Sequence, residues 1–143
     1  MKKIIVAISF TTLLFVAPNI YAQCDADVHA EACIPKLKEG FNFVKSYTID
    51  GEGGSKSKVE YSYVFAKGTQ YFINICSGVA DATDGIVVSL YDSTRKLVST
   101  SDANGKLYNA IAYPCNATGI YYIQFTFKGS QNHCGGAVLG FKR

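Results

Sequence analysis

From Phe41 to the C-terminus the chain keeps a period of two, and this limits its fold more than any other feature. In the clearest segment Val59, Tyr61, Tyr63 and Phe65 alternate with Glu60, Ser62 and Val64. Successive side chains of a strand point to opposite faces, so such a segment buries one face and wets the other. Lys67-Gly68-Thr69 is turn chemistry, and Tyr71–Cys76 returns, which predicts a hairpin with a bulge-type loop. Further strands are expected at Phe43–Ile49, Ile86–Tyr91, Lys96–Thr100, Lys106–Tyr113, Ile120–Phe127 and Ala137–Phe141. Turn residues separate them: Asp81 to Gly85, Asp92-Ser93-Thr94, Asp102 to Gly105, Asn116 to Gly119 and Lys128-Gly129-Ser130. About eight short strands at near-regular spacing are the mark of a sandwich or barrel. No helical pattern lies between them, which argues against a parallel α/β sheet.

Two segments precede this region. Met1–Ala22 reads as a signal peptide, with Lys2 and Lys3 before an uncharged run from Ile4 to Val16 and Ala22 before the expected cut. That run is about 13 residues, short of the roughly 20 that span hydrocarbon. Gln23, where lipidation of Cys24 would need a small residue, argues against a lipoprotein. A protein exported to the periplasm or the extracellular space is expected, with no membrane span once the leader is removed. Residues 23–40 read as a short helical segment, with Asp25 and Asp27 as cap candidates and Pro35 either ending the helix or opening a second turn closed by Gly40. The domain proper is then 41–143.

The formal net charge of +3 falls to +1 without Lys2 and Lys3. A near-neutral chain has no broad attraction for nucleic acid or anionic membrane.

The chain has five cysteines, Cys24, Cys33, Cys76, Cys115 and Cys134. In an oxidising compartment they are disulfide candidates, with one thiol left over. If one helix runs between Cys24 and Cys33, the two lie on opposite faces and about 13 Å apart along the axis. A disulfide needs Cα atoms within about 7 Å, so at least one of them must reach a sheet cysteine. A bridge stapling the N-terminal segment to the sheet is expected, its partner open.

Three pieces of the sandwich region resemble the bacterial pre-peptidase C-terminal domain. They are Glu60–Ile75, an opening hairpin; Val87-Val-Ser-Leu-Tyr-Asp92 followed by Leu97-Val98, a strand pair; and Gly119-Ile-Tyr-Tyr-Ile-Gln124, a further strand. The resemblance covers about Val59–Phe127, and Arg95 departs from it by standing where a turn glycine is expected. It implies a non-catalytic module associated with binding polymeric substrates or with secretion. The fold expected is all-β, a jelly-roll-like antiparallel sandwich of about eight strands with a short N-terminal helix.

Few residues suggest chemistry. His133 beside Cys134 invites a nucleophile reading, but neighbours on a strand face opposite ways and Cys134 is a disulfide candidate. The loop carboxylates Asp81 and Asp84, with Asp92 and Asp102, are the ones to consider for calcium. Their spacing does not match an EF-hand, and capping of turn amides is the preferred reading, so no cofactor is expected. No G-x-S-x-G occurs, and nothing selects a carboxylate pair of the kind glycosidases use.

The aromatics are the better lead. Tyr71, Tyr91, Tyr121 and Tyr122 are the candidate binding residues. In Tyr71-Phe72 and Tyr121-Tyr122 one ring of each pair must point away from any one core. Cover by the N-terminal segment is the plainer reading, and a surface for sugar rings or a protein partner is the functional one. The function expected is a secreted or periplasmic non-enzymatic binding or adaptor module for a glycan or a protein. The alternatives are a small secreted hydrolase using loop carboxylates, and a partner-dependent subunit or inhibitor.

Overall fold

The computed structural model describes residues 23–78 and 83–143; the leader and Asp81 lie outside them. The protein is an antiparallel β-sandwich. Helix α1 spans Ala26–Cys33 and runs into a 3-10 turn at Ile34–Lys36 with Pro35 at its start. There the missing N–H of proline costs nothing. Asp25 holds the N-cap position, but its side chain makes no capping bond.

Ten strands follow: β1 Asn42–Asp50, β2 Lys58–Phe65, β3 Gln70–Ser77, β4 Ile86–Tyr91, β5 Leu97–Thr100, β6 Asp102–Ala103, β7 Lys106–Leu107, β8 Ala110–Pro114, β9 Gly119–Phe127 and β10 Cys134–Lys142. One sheet has the order β1-β10-β3-β8 and the other β2-β9-β4-β5. The pairs β1·β10, β2·β9, β3·β8 and β4·β5 are the successive rungs of one long hairpin rolled over on itself, which is the jelly roll.

Two strand expectations are corrected. β2 and β3 do not form a hairpin, because β2 pairs with β9 while β3 pairs with β10 and β8. The turn after Phe65 carries the chain across to the opposite sheet. Gly68 N–H donates to Cys115 O, Cys115 N–H to Thr69 O, and Lys67 N–H to the Thr118 hydroxyl, so the turn is held by the β8–β9 loop. The crossing lets Phe65 stack on Tyr71 between the sheets, with ring centroids 3.8 Å apart. The second correction concerns Lys106–Tyr113, which is two strands. Asn104 and Gly105, both at positive φ, make the tight turn of the β6–β7 hairpin. Tyr108 N–H then bonds Ser101 O, and the chain passes into β8 in the other sheet.

The core lies between the sheets. Phe65, Ile73, Leu90, Ile123, Phe125 and Leu139 are fully buried there. α1 lies on the outer face of the β1-β10-β3-β8 sheet and buries Ala26, Ala30 and Cys33. Gly136 makes this possible: a Cβ there would come within 2.5 Å of backbone atoms of His29 and Ala30. Gly140 gives Leu37 the same room.

Two disulfides fasten the helical segment at both ends. Cys24 is bonded to Cys134 of β10, and Cys33 to Cys76 of β3. Both N-terminal cysteines reach the sheet, and Cys115 is the free, buried thiol. Two disulfides suit an oxidising compartment. No helix among the described residues is long and apolar enough to cross a membrane.

Candidate functional site

The two outer faces of the sandwich differ. One is sealed by α1, Leu37 and the disulfides. On the other, no helix or further strand packs against β2, β9, β4 and β5 among the described residues. Its register sets the outward side chains in rows. Glu60 stands opposite Gln124, and Gln124 opposite Ser89. Ser62 stands opposite Tyr122, Tyr122 opposite Tyr91, and Tyr91 opposite Leu97. Val64 stands opposite Ile120. Val64 is 59% exposed, Ile120 47% and Leu97 48%. These aliphatic groups stand in water near two tyrosines; Val28, Ile34 and Phe43 stand in water on the helix side.

The four candidate tyrosines therefore divide. Tyr91 and Tyr122 lie side by side on the open face, both partly exposed. Tyr71 and Tyr121 do not belong to it; both are buried inside, 6% and 3% exposed. The alternation that turns Tyr122 outward turns Tyr121 inward onto Phe65, with centroids 4.8 Å apart. Their hydroxyls are used internally. Ala66 N–H donates to the Tyr71 oxygen at 2.9 Å, and the Tyr121 hydroxyl donates to Ala117 O at 2.8 Å. Burial, and then the bond with the Tyr113 hydroxyl, push the Tyr121 hydroxyl pKa well above its usual value. The outward neighbour of Tyr71, Phe72, is covered by Phe41, the residue just before β1, at 5.2 Å. Tyr122 is covered on one side by Arg95 instead.

Arg95 is the residue that sequence reasoning noticed without giving it a role. It lies in the β4–β5 turn at φ 67, the left-handed region where glycine was expected. Asp92 builds this turn, its Oδ1 accepting from Thr94 N–H, the Thr94 hydroxyl and Lys96 N–H at 2.7–3.0 Å. The Thr94 side-chain bond, then the Lys96 amide, hold the Asp92 carboxyl below its ordinary pKa. From this turn the guanidinium lies 3.6 Å from the Tyr122 ring centroid. Its Nη1 donates to both Glu60 oxygens at 2.9 Å. Gln124 Nε2 donates to Glu60 Oε2 at 3.2 Å. Burial disfavours the ionised Glu60, but the bonds from Arg95 and Gln124 outweigh it and lower its pKa. The result is an ordered Tyr-Arg-Glu-Gln cluster on the outer face of this sheet, where the outward Val87 and Ser89 of β4 are buried.

Beside it, at the end of the sandwich, the β4–β5 and β8–β9 turns enclose a cleft of about 450 Å³. Asp92, Lys96, Leu97, Tyr113 and Asn116 are among its lining residues, so Leu97 belongs to both cleft and face. Free Cys115 lies beneath it, its Sγ 3.7 Å from the Tyr121 hydroxyl. Of the cleft residues, Asp92 is among the loop carboxylates considered from sequence, and Tyr113 and Tyr121 are among the strand aromatics. Lys96, Leu97 and Asn116 carried no signal, because a turn or edge residue looks the same whether or not a cleft lies beside it.

Asp84 lies at the opposite end and ties two loops. Its carboxylate accepts from the Ser130 hydroxyl and from the N–H groups of Gln131 and Asn132 at 3.2–3.4 Å. Asp81 lies outside the described residues. No group of three or more metal-ligating side chains converges among the described residues. Cys134, in its disulfide, has no thiol to offer His133.

No family model matches the chain, and no curated protein does. Among solved structures it is similar to Aeromonas hydrophila PliG, a periplasmic lysozyme inhibitor of g-type lysozyme, with 13% identity over 73% of this chain and 87% of that one and a TM-score of 0.40.

Proposed function

We infer that the protein is a non-enzymatic binding module that works outside the cytoplasm and holds a glycan or protein ligand against the open face of the β2-β9-β4-β5 sheet. One observation carries this reading. The sandwich spends a helix and two disulfides on covering one outer face, while the other keeps Tyr91, Tyr122, Leu97, Val64 and Ile120 in contact with water around a fixed Arg95–Glu60 pair. Tyrosine and arginine are enriched at binding hot spots; tyrosine buries much area with few rotors to freeze, and Arg95 is already held by Glu60 and Tyr122. Hydrolysis is less well supported. The cleft contributes one carboxylate, Asp92, which is held ionised by its own turn, whereas sugar hydrolysis takes a pair with one acid kept protonated.

The test is a binding screen on the oxidised protein against peptidoglycan, neutral and acidic glycans and envelope proteins, with a g-type lysozyme in the panel. It is run with calcium and again with a chelator. Tyr122→Ala and Ile120→Asn are compared with the parent for every ligand found. Loss of binding in both variants supports the reading. Full binding by both sinks it, and calcium dependence moves the site to the loop aspartates.

A further inference from the structure

We propose that the cleft between the β4–β5 and β8–β9 turns is a subsite for one neutral, hydroxyl-rich sugar ring of a glycan. This rests on the binding-module reading and names its ligand. The cleft's volume of about 450 Å³ falls within the usual range of roughly 300–1,000 Å³ for small-molecule sites.

The lining divides into groups already engaged and groups still free. Asp92 holds its turn through Oδ1, the Thr118 hydroxyl accepts from Lys67 N–H, and the Tyr121 hydroxyl donates to Ala117 O. These bonds shape the cleft and leave a ligand nothing to break. The side chains of Ser93, Lys96 and Asn116 are exposed and make no hydrogen bond among the described residues. Between them they offer donors and acceptors, which suits hydroxyl groups that are both. Leu97, Val98 and the half-buried Tyr113 supply an apolar wall for the C–H face of a ring. One carboxylate and one ammonium balance, so no excess charge selects an ion. Leu97 joins the wall to the open face, and a longer glycan could run from the cleft toward Tyr91 without leaving the protein.

The test is an amide NMR titration of the oxidised protein with N-acetylglucosamine oligomers, neutral glucan oligomers and an oligogalacturonate. Saturable shifts centred on Ser93, Lys96 and Asn116 are expected with a neutral sugar. Asn116→Ala and Lys96→Ala, both at exposed positions, should each weaken binding by about 3–10-fold, the effect of one lost hydrogen bond. Preference for the oligogalacturonate overturns the neutral assignment. Sugar binding that both variants leave unchanged, but that Tyr122→Ala and Ile120→Asn abolish, overturns the cleft and keeps the face. A screen that finds only a protein ligand on the face does the same. Binding that survives all four substitutions overturns both readings.

Discussion

Replacing Arg95 separates two contributions that the structure sets against each other. Its backbone is left-handed at φ 67, which costs an L residue roughly 1–2 kcal/mol that glycine does not incur. Its side chain returns part of this. The pair with Glu60 is 54% and 25% exposed on its two sides, so screening holds it to about 0.2–1 kcal/mol, and the stack on Tyr122 adds about 0.5–1 kcal/mol. Arg95→Ala loses both contacts and keeps the strained backbone, so it should be about 1–2 kcal/mol less stable than the parent. Arg95→Gly loses the same contacts but relieves the strain, less about 0.5–1 kcal/mol for the freer unfolded chain. It should fall within about 1 kcal/mol of the parent and lie above the alanine variant. Urea unfolding at matched m-values reads this directly. A cycle with Glu60→Gln should give a coupling that shrinks in high salt. Alanine as stable as glycine would refute the strained turn. If both variants keep full binding, Arg95 belongs to the turn alone.

The other predictions concern pH, packing and thiols. Glu60 and Asp92 both have lowered folded pKa values, so their stabilisation is complete above the unfolded values near 4 and is lost as the pH falls through the folded ones. An acid titration followed by circular dichroism should show that loss, smaller in Glu60→Gln. Burial raises the hydroxyl pKa of Tyr47 and Tyr121, so their contribution is complete below the unfolded value of 10.0 and is lost as the pH rises above it. Tyr47→Phe and Tyr121→Phe should therefore each remove one ring from the tyrosinate absorbance that appears only on unfolding. Gly136→Ala forces a methyl into the α1 backbone and should cost about 1–3 kcal/mol, seen as a lowered Tm. Without reductant, the native protein should show no thiol reactive to Ellman's reagent, and the denatured protein should show one, Cys115.

Much of the fold was legible because strands are written locally. The alternation of Val59, Tyr61 and Phe65, or of Ile86, Val88 and Leu90, marks a face wherever the strand lies. Turn residues such as Asn104-Gly105 state their geometry within two positions. The same locality misled the reading at Lys67-Gly68-Thr69. Turn chemistry reverses the chain without saying whether the next strand pairs beside β2 or crosses to the other sheet.

By itself, then, the sequence determined that this is a chain of short antiparallel strands with a cysteine-tied N-terminal segment, and that Tyr121 and Tyr122 must part company. Only the tertiary structure decided which of them faces water, because period two assigns opposite sides without naming the inner one. It also decided that Cys24 meets Cys134 and Cys33 meets Cys76, that Tyr71 joins the core, and that Arg95 rests on Tyr122 from a turn where glycine was expected. Each of these joins residues far apart in the chain, and contacts of that kind exist only once the two sheets have closed on one another.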